Sequence, residues 1–257
     1  MSEGRYDRQL GLPELKDGGQ NKLAAARITV VGAGGLGSSL LFSLVGAGVR
    51  KLRIIDNDIV SMSNLNRQFL YTPADIGLDK AARVAKRLIE YEPELELEVV
   101  STALDNVNSI ELLRDCDLVI SCVDSISVRY MINEACCRLG ITYIDGAVKG
   151  FYGYISYVVP GKSACFVCQN GPLQKKLSAS ADSTRKALVI SSIPTIIGAM
   201  QAQMAIDLIL DCCNAEPGAR YYYDGKEQSI EKVTHVRDPN CSFCGNTNSK
   251  EDGEVGI

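Results

Sequence analysis

Apolar and polar positions follow two periods along this chain. Arg27-Ile-Thr-Val-Val31 is a short β-branched run, the mark of a buried strand, and it leads directly into Gly32-Ala-Gly34-Gly35-Leu-Gly37. The stretch that follows, Ser38–Gly46, predicts a helix, and Lys51–Ile55 predicts a second strand that ends at Asp56. Over Lys80–Glu90 the apolar residues are Ala81, Val84, Ala85, Leu88 and Ile89, the spacing of an amphipathic helix. Leu97–Val100, Leu118–Cys122 and Thr142–Ile144 predict further strands, with a helix over Val128–Leu139 between the last two. Strands alternating with helices imply a mostly parallel sheet covered on both faces. Tyr152–Val159 is aromatic and β-branched with no helix before it, which predicts local antiparallel pairing, and Ile196–Cys212 predicts a long buried helix. The expected fold is therefore α/β, a doubly wound mixed sheet whose parallel half is followed by antiparallel strands.

This pattern spans residues 1–245 as a single domain, with one half at about 1–125 and a mixed half at about 126–245. The polar stretch Gln169–Lys186 predicts a mobile lid or crossover loop, about 169–190, and residues 246–257 read as a disordered tail. No internal repeat is visible. Hydrophobic residues at 46% and charged residues at 23% exclude disorder, collagen and coiled coil as the main architecture. With 27 basic and 31 acidic side chains and a net charge of −4, no broad basic face points to nucleic acid. The apolar stretches Ser38–Val49 and Ala187–Met200 are too short or too interrupted to span a bilayer. The charged start Met1–Arg8 has no apolar signal core, so a cytoplasmic location is expected.

Gly32, Gly34 and Gly37 fit G-x-G-x-x-G between a strand and a helix. The first glycine permits the turn, the second lets a phosphate approach the backbone, and the third lets helix pack on strand. Asp56, at the end of the second strand, suits a ribose hydroxyl pair. These residues point to a nucleotide without separating NAD from ATP. Arg67 and Lys80 lie just beyond, and two cations beside a phosphate loop suit a triphosphate under attack at one phosphoryl linkage. The only histidine, His235, sits on a strand-like segment and reads as structural.

Ten cysteines in a reducing compartment must be read by spacing. Cys165-Phe-Val-Cys168 and Cys241-Ser-Phe-Cys244 are two knuckles that can wrap one tetrahedral zinc, and their flanking turns fit a metal better than a redox pair or loose thiols. Four protein ligands leave no open position, so the zinc would be structural. Cys116, Cys122, Cys136, Cys137, Cys212 and Cys213 lack that spacing and lie in apolar or helical surroundings, and Cys212 and Cys213 read as packing residues or incidental thiols.

Taken in order, Arg5-Tyr-Asp-Arg8-Gln9, the Gly32–Gly37 loop with Gly35, Asp56-x-Asp58-x-Val60, Ser63-Asn64-Leu-Asn-Arg67-Gln68, Gly77-x-x-Lys80, Cys122-x-Asp124 and the two C-x-x-C pairs run from residue 5 to 244. In this set the chain resembles the family of ubiquitin-activating enzymes and their bacterial relatives, the ThiF, MoeB and HesA proteins. The resemblance implies a Rossmann-like nucleotide-binding half and an enzyme that adenylates a carboxylate with Mg-ATP and releases pyrophosphate. By the same resemblance, Asp56 would hold the ribose and the glycine loop would lie against the phosphates. Asn64, Arg67 and Lys80 would contact the triphosphate with Gln68 in support, and Asp124 would coordinate magnesium. Arg8 would reach into the neighbouring subunit of a homodimer.

Many relatives carry a nucleophilic cysteine in the crossover loop, whereas residues 169–210 here contain none, and Thr184 or a neighbour stands in that register. A threonine hydroxyl is a poor replacement for a thiolate, which weakens the case for a thioester or sulfur-relay step and leaves adenylation intact. Two substrates follow from the resemblance. One is the C-terminal glycine of a ubiquitin-like sulfur carrier. The other is a small-molecule carboxylate, such as guanylylpyridinol during iron-guanylylpyridinol cofactor assembly, with the adenylate passed to a downstream enzyme. An NAD(P)-dependent oxidoreductase and a silent nucleotide-binding scaffold are the readings from other classes.

Overall fold

Arg27–Val31 is apolar on both of its faces, a composition that suits only the middle of a covered sheet, and β1 (Arg27–Val31) lies there, buried from Ile28 onward. The computed structural model describes residues 4–171 and 188–245. The other strands are β2 (Lys51–Ile55), β3 (Glu96–Val100), β4 (Leu118–Ser121), β5 (Tyr143–Lys149), β6 (Tyr152–Val158), β7 (Arg220–Asp224) and β8 (Ser229–Val233). They form one sheet in the order β3-β2-β1-β4-β5-β6-β7-β8. Pairing is parallel from β3 through β5 and antiparallel from β5 through β8.

Successive residues of each inner strand serve opposite layers. Ile28, Val30, Ile144 and Ile155 pack with the helices Gly35–Ala47, Lys80–Tyr91 and Ser192–Ile209. Val31, Val119, Tyr143 and Val158 pack with Ser109–Leu113, Ile126–Leu139 and the segment around Cys165. The edge strands are more exposed and carry charge (Glu96 and Glu98 in β3, Glu231 and Lys232 in β8), which discourages pairing with another chain.

Register brings the strand ends together. Val31 is level with Ile55 on one side and with Ser121 on the other, and Ser121 is level with Asp145. From β1 the chain moves outward to β2 and β3, then returns to β4 on β1's other side. That reversal opens a crevice at the carboxyl ends of β1 and β4, where open α/β sheets hold ligands.

Several boundaries depart from the sequence pattern. The long helix spans Ser192–Ile209 rather than Ile196–Cys212, because Pro194 occupies its first turn, where a missing N–H costs nothing. The helix after β1 begins at Gly35, so the second half of the glycine loop is already helical. β5 runs on to Lys149, turns at Gly150 (φ 63°) and Phe151, and pairs with β6. Leu188 and Ile190 hydrogen-bond Gly150 from the far end of the expected crossover loop. Most of that loop, including Thr184, and the expected tail lie outside the described residues. No helix among the described residues is long and apolar enough to cross a membrane.

Candidate functional site

Gly32 leaves β1 with φ 98°, and a Cβ there would lie 2.7 Å from the Cys122 carbonyl oxygen. At Gly37 a Cβ would lie 2.2 Å from the Gly32 carbonyl oxygen, and at Gly35 it would meet Pro194 Cβ at 3.0 Å. These three glycines allow close packing. Gly34 differs, because only Gln68 Nε2, at 3.5 Å, approaches the space a Cβ would take. A ligand can come close to the backbone there. The intervening peptide is held from both sides: Ala33 N–H donates to Asp56 Oδ2 at 2.7 Å, and the Ala33 carbonyl accepts from the buried Tyr71 hydroxyl at 2.7 Å. Burial pushes the Tyr71 phenol well above its ordinary pKa, so it remains a donor.

Asp56 is half-buried and its second oxygen accepts from Asp58 N–H at 2.8 Å. Burial raises its pKa, against the two amides and Lys80, which favour the charged form. Each oxygen keeps a lone pair for a further donor such as a ribose hydroxyl.

The chain from Val60 to Asp79 loops over this crevice. Asn64 is buried and its Oδ1 accepts from Ser61 N–H at 3.0 Å, closing a capping box. Arg67 donates to the Ser63 carbonyl at 2.7 Å and to Asn66 Oδ1 at 3.0 Å through the same nitrogen, which leaves its other donors for an anion. Its Cγ would lie 3.6 Å from a Cβ at Gly35, so it flanks the glycine loop. Gln68 is buried beside Gly34, and its Oε1 has no hydrogen-bond partner. An orphaned buried acceptor next to an open glycine fits a ligand that brings a donor.

Lys80 opens the helix Lys80–Tyr91, which Asp79 caps by accepting from Ala82 N–H at 2.7 Å. Although its side chain is only 5% exposed, its ammonium meets Asp58 Oδ2 at 2.9 Å at the crevice rim. Asp75, on the same loop, accepts from the Thr72 amide and hydroxyl and from Arg83 and Arg87. Against the penalty of burial, these donors hold its carboxyl well below the usual carboxylate range.

Asp124 follows β4 at the switch point. It does not cap the next helix: Ser125 is the cap, its Oγ 3.5 Å from Val128 N. Asp124 is exposed and makes no hydrogen bond or ion pair with the described residues. Arg8 is exposed on the short helix Asp7–Leu10 and likewise has no such partner among them. Gly34, Asp56, Arg67, Gln68 and Lys80 are thus brought together around one crevice, with Asp124 at the end of β4, while nothing among the described residues links Arg8 to it.

On the sheet's other layer, the four knuckle cysteines converge with all sulfur atoms within 4.8 Å of one another. Cys165 lies 3.8 Å from Cys168 and 3.7 Å from Cys241, and Cys168 lies 3.5 Å from Cys244. Zinc–sulfur bonds of about 2.3 Å require tetrahedron edges of roughly 3.8 Å, so the donor set fits zinc. Arg237 donates to the Cys244 carbonyl, and Asp238 N–H lies 3.5 Å from Cys168 Sγ. His235 lies just past β8, not on a strand, because pairing ends at Val233.

Sequence reading missed Tyr71 and a group of buried Arg129, Asp145, Gln169 and Arg220 with the half-buried Tyr154. Asp145 interrupts an otherwise apolar strand and Arg129 lies among apolar helix positions, a signal because buried charges must be paired.

A profile of the ThiF family matches residues 6–243. The chain is 37% identical over 235 residues to a probable molybdopterin-synthase adenylyltransferase of Porphyra purpurea, covering 89% of this chain but only 59% of that one. It is 34% identical over 247 residues to a sulfur carrier protein adenylyltransferase of Thermus thermophilus, covering 94% of this chain and 90% of the relative. Its fold matches the crystal structure of E. coli MccB with ATP at a TM-score of 0.81 and 25% identity, covering 95% of this chain and 75% of that one.

Proposed function

The chain belongs to the ThiF family, and from that membership we propose that it activates the C-terminal glycine of a ubiquitin-like sulfur-carrier protein by adenylylation. The enzyme class, ATP-dependent adenylyltransferase, is shared with its relatives. The carrier substrate is taken from the Thermus thermophilus relative, which is named for a sulfur carrier protein. The observation that carries the reading is the set of groups around one switch-point crevice: an open glycine turn, a half-buried Asp56, the cations Arg67 and Lys80, and Asp124, which has no partner among the described residues.

Chemistry at such a site is mostly charge neutralisation. A carboxylate oxygen attacks the α-phosphorus of ATP, an oxygen–phosphorus bond forms, and the α–β linkage breaks, with pyrophosphate leaving on the electron pair. The acid is already ionised at neutral pH, so no general base is needed. Two anions must approach, and Arg67 and Lys80 supply the opposing charge, with one nitrogen of each already anchored so that little reordering accompanies binding. Asp56 holds the ribose and Gln68 supports from beneath Gly34, while Asn64 holds the loop that carries Arg67 and reaches the phosphates. Asp124 holds magnesium, which when bound offsets phosphate charge. Arg8 acts on the partner subunit's site in a homodimer, and the four cysteines hold a structural zinc.

A second reading, adenylylation of a small carboxylic acid, is favoured by one observation: residues 169–210 contain no cysteine to receive an activated acyl group. ATP–pyrophosphate exchange with magnesium, tested against carrier proteins ending in Gly-Gly and against small acids, separates the two. Exchange stimulated only by a carrier supports the first reading. Exchange stimulated only by a small acid replaces it.

A further inference from the structure

Two arginines and one carboxylate lie buried beneath the helix Ile126–Leu139 and the segment around Gln169. Arg129 and Asp145 have side-chain exposures of 6% and 4%, a setting in which each charge requires a partner and directed hydrogen bonds. Arg129 Nη1 donates to Asp145 Oδ1 at 2.7 Å and lies 3.3 Å from the Tyr154 hydroxyl. Tyr154 in turn donates to Asp145 Oδ2 at 2.7 Å, so the carboxylate is held at both oxygens. A second guanidinium, that of Arg220, lies 4.4 Å over the Tyr154 ring and is tied to Gln169 Oε1 at 3.0 Å.

The remaining arm of Arg129 reaches the loop that follows β4. Its Nη2 donates to the carbonyl of Val123, the residue immediately before Asp124. Asp145 is level in the sheet with Ser121, the last residue of β4, so the ion pair sits beside the strand end from which this loop departs. A guanidinium occupied in this way is badly placed to clamp a phosphate. What it does is fix the direction of the peptide that carries an otherwise unpartnered carboxylate.

We propose that Arg129, locked by Asp145 and Tyr154, is a positioning residue that fixes the Val123–Asp124 loop for capture of a divalent cation with ATP. This rests on the reading of Asp124 as the magnesium ligand. Asp124 sets the cation's place only if its backbone cannot swing, and the Val123 carbonyl is the point at which Arg129 holds it.

The test is calorimetric titration of the full, zinc-loaded chain with ATP, with and without magnesium and with no acceptor acid present. The quantity read is the gain in ATP affinity that magnesium confers. Asp124→Asn should abolish that gain. Tyr154→Phe, which keeps the ring under Arg220 and removes only the hydroxyl, should reduce it roughly fivefold, the equivalent of one hydrogen bond, and leave magnesium-free affinity near wild type. Arg129→Lys, which keeps the charge but loses the fork, should reduce it further. A lost gain in Asp124→Asn with an unchanged gain in both Tyr154→Phe and Arg129→Lys would overturn the positioning role alone. An unchanged gain in Asp124→Asn would overturn the magnesium reading and the positioning role with it.

Discussion

Asp75 and Lys80 are both almost inaccessible, yet they call for opposite outcomes when replaced. Asp75, with its side chain 1% exposed, is surrounded by donors on one loop and the adjoining helix. Removing its charge strands Arg83 and Arg87, so Asp75→Asn should destabilise the protein by about 3 kcal/mol in chemical denaturation at neutral pH. The folded carboxyl titrates below its unfolded value, so this stabilisation is complete above about pH 4 and is lost as pH falls toward the folded pKa. The gap between wild type and Asp75→Asn should therefore close in acid, and a constant gap down to pH 2 would refute the account. Lys80 pairs with Asp58, whose side chain is 67% exposed and can be rehydrated once left alone. Lys80→Met should melt close to wild type while pyrophosphate exchange falls about 100-fold or more. Lys80 was readable from its place at a helix start beyond the glycine loop. Asp75 was not, because its partners are set by how the loop folds onto the helix.

At the scale of elements, the helices Gly35–Ala47 and Ser192–Ile209 meet through small residues. A Cβ at Gly198 would lie 2.2 Å from Ser39 Oγ and 2.3 Å from the Leu36 carbonyl oxygen, both in the first turns after the glycine loop. Gly198→Ala should cost about 1–3 kcal/mol and weaken ATP binding in the same titration, because relief of the overlap displaces the turn that begins at Gly35. In the helix Gly35–Ala47, a Cβ at Gly46 would meet only the Tyr91 hydroxyl, at 3.9 Å. Gly46→Ala should be neutral or stabilising by up to about 1 kcal/mol, since alanine is the better helix former. Equal losses at both positions would contradict this packing account. The helices themselves were legible from periodicity. Their mutual approach was not, since a glycine inside a helix looks the same in sequence whether it faces solvent or a neighbouring backbone.

For the whole molecule, the two cysteine knuckles join the segment beyond β8 to the layer under Tyr143 and Phe166. Purified protein should carry about one zinc per chain, and chelation should lower the melting temperature and expose amides of the segment 234–245 to hydrogen exchange before those of β1 and β4. Uniform exchange across the chain would count against a local staple. The proposed homodimer predicts complementation: inactive Arg8→Ala mixed with inactive Asp124→Ala should regain exchange activity, because one intact site can be assembled from the two chains. No recovery in a mixed dimer would remove the role of Arg8 across the interface.

Local chemistry was written in the one-dimensional string. Strand and helix periods, the strand–glycine–helix junction, the acid at the end of β2 and the paired cysteine spacings each depend on residues near one another in sequence, where backbone geometry alone limits the outcome. The crevice also followed from strand order, because parallel connections constrain how a doubly wound sheet is traced. Only the tertiary structure assigned the partners of Asp75, the clamp of Tyr71 and Asp56 on Ala33, and the chain from Arg220 through Tyr154 and Asp145 to Arg129. Those groups come from separate elements. Which of them meet depends on sheet register and layer packing, and a buried charge in a sequence announces that it needs a partner without saying which one.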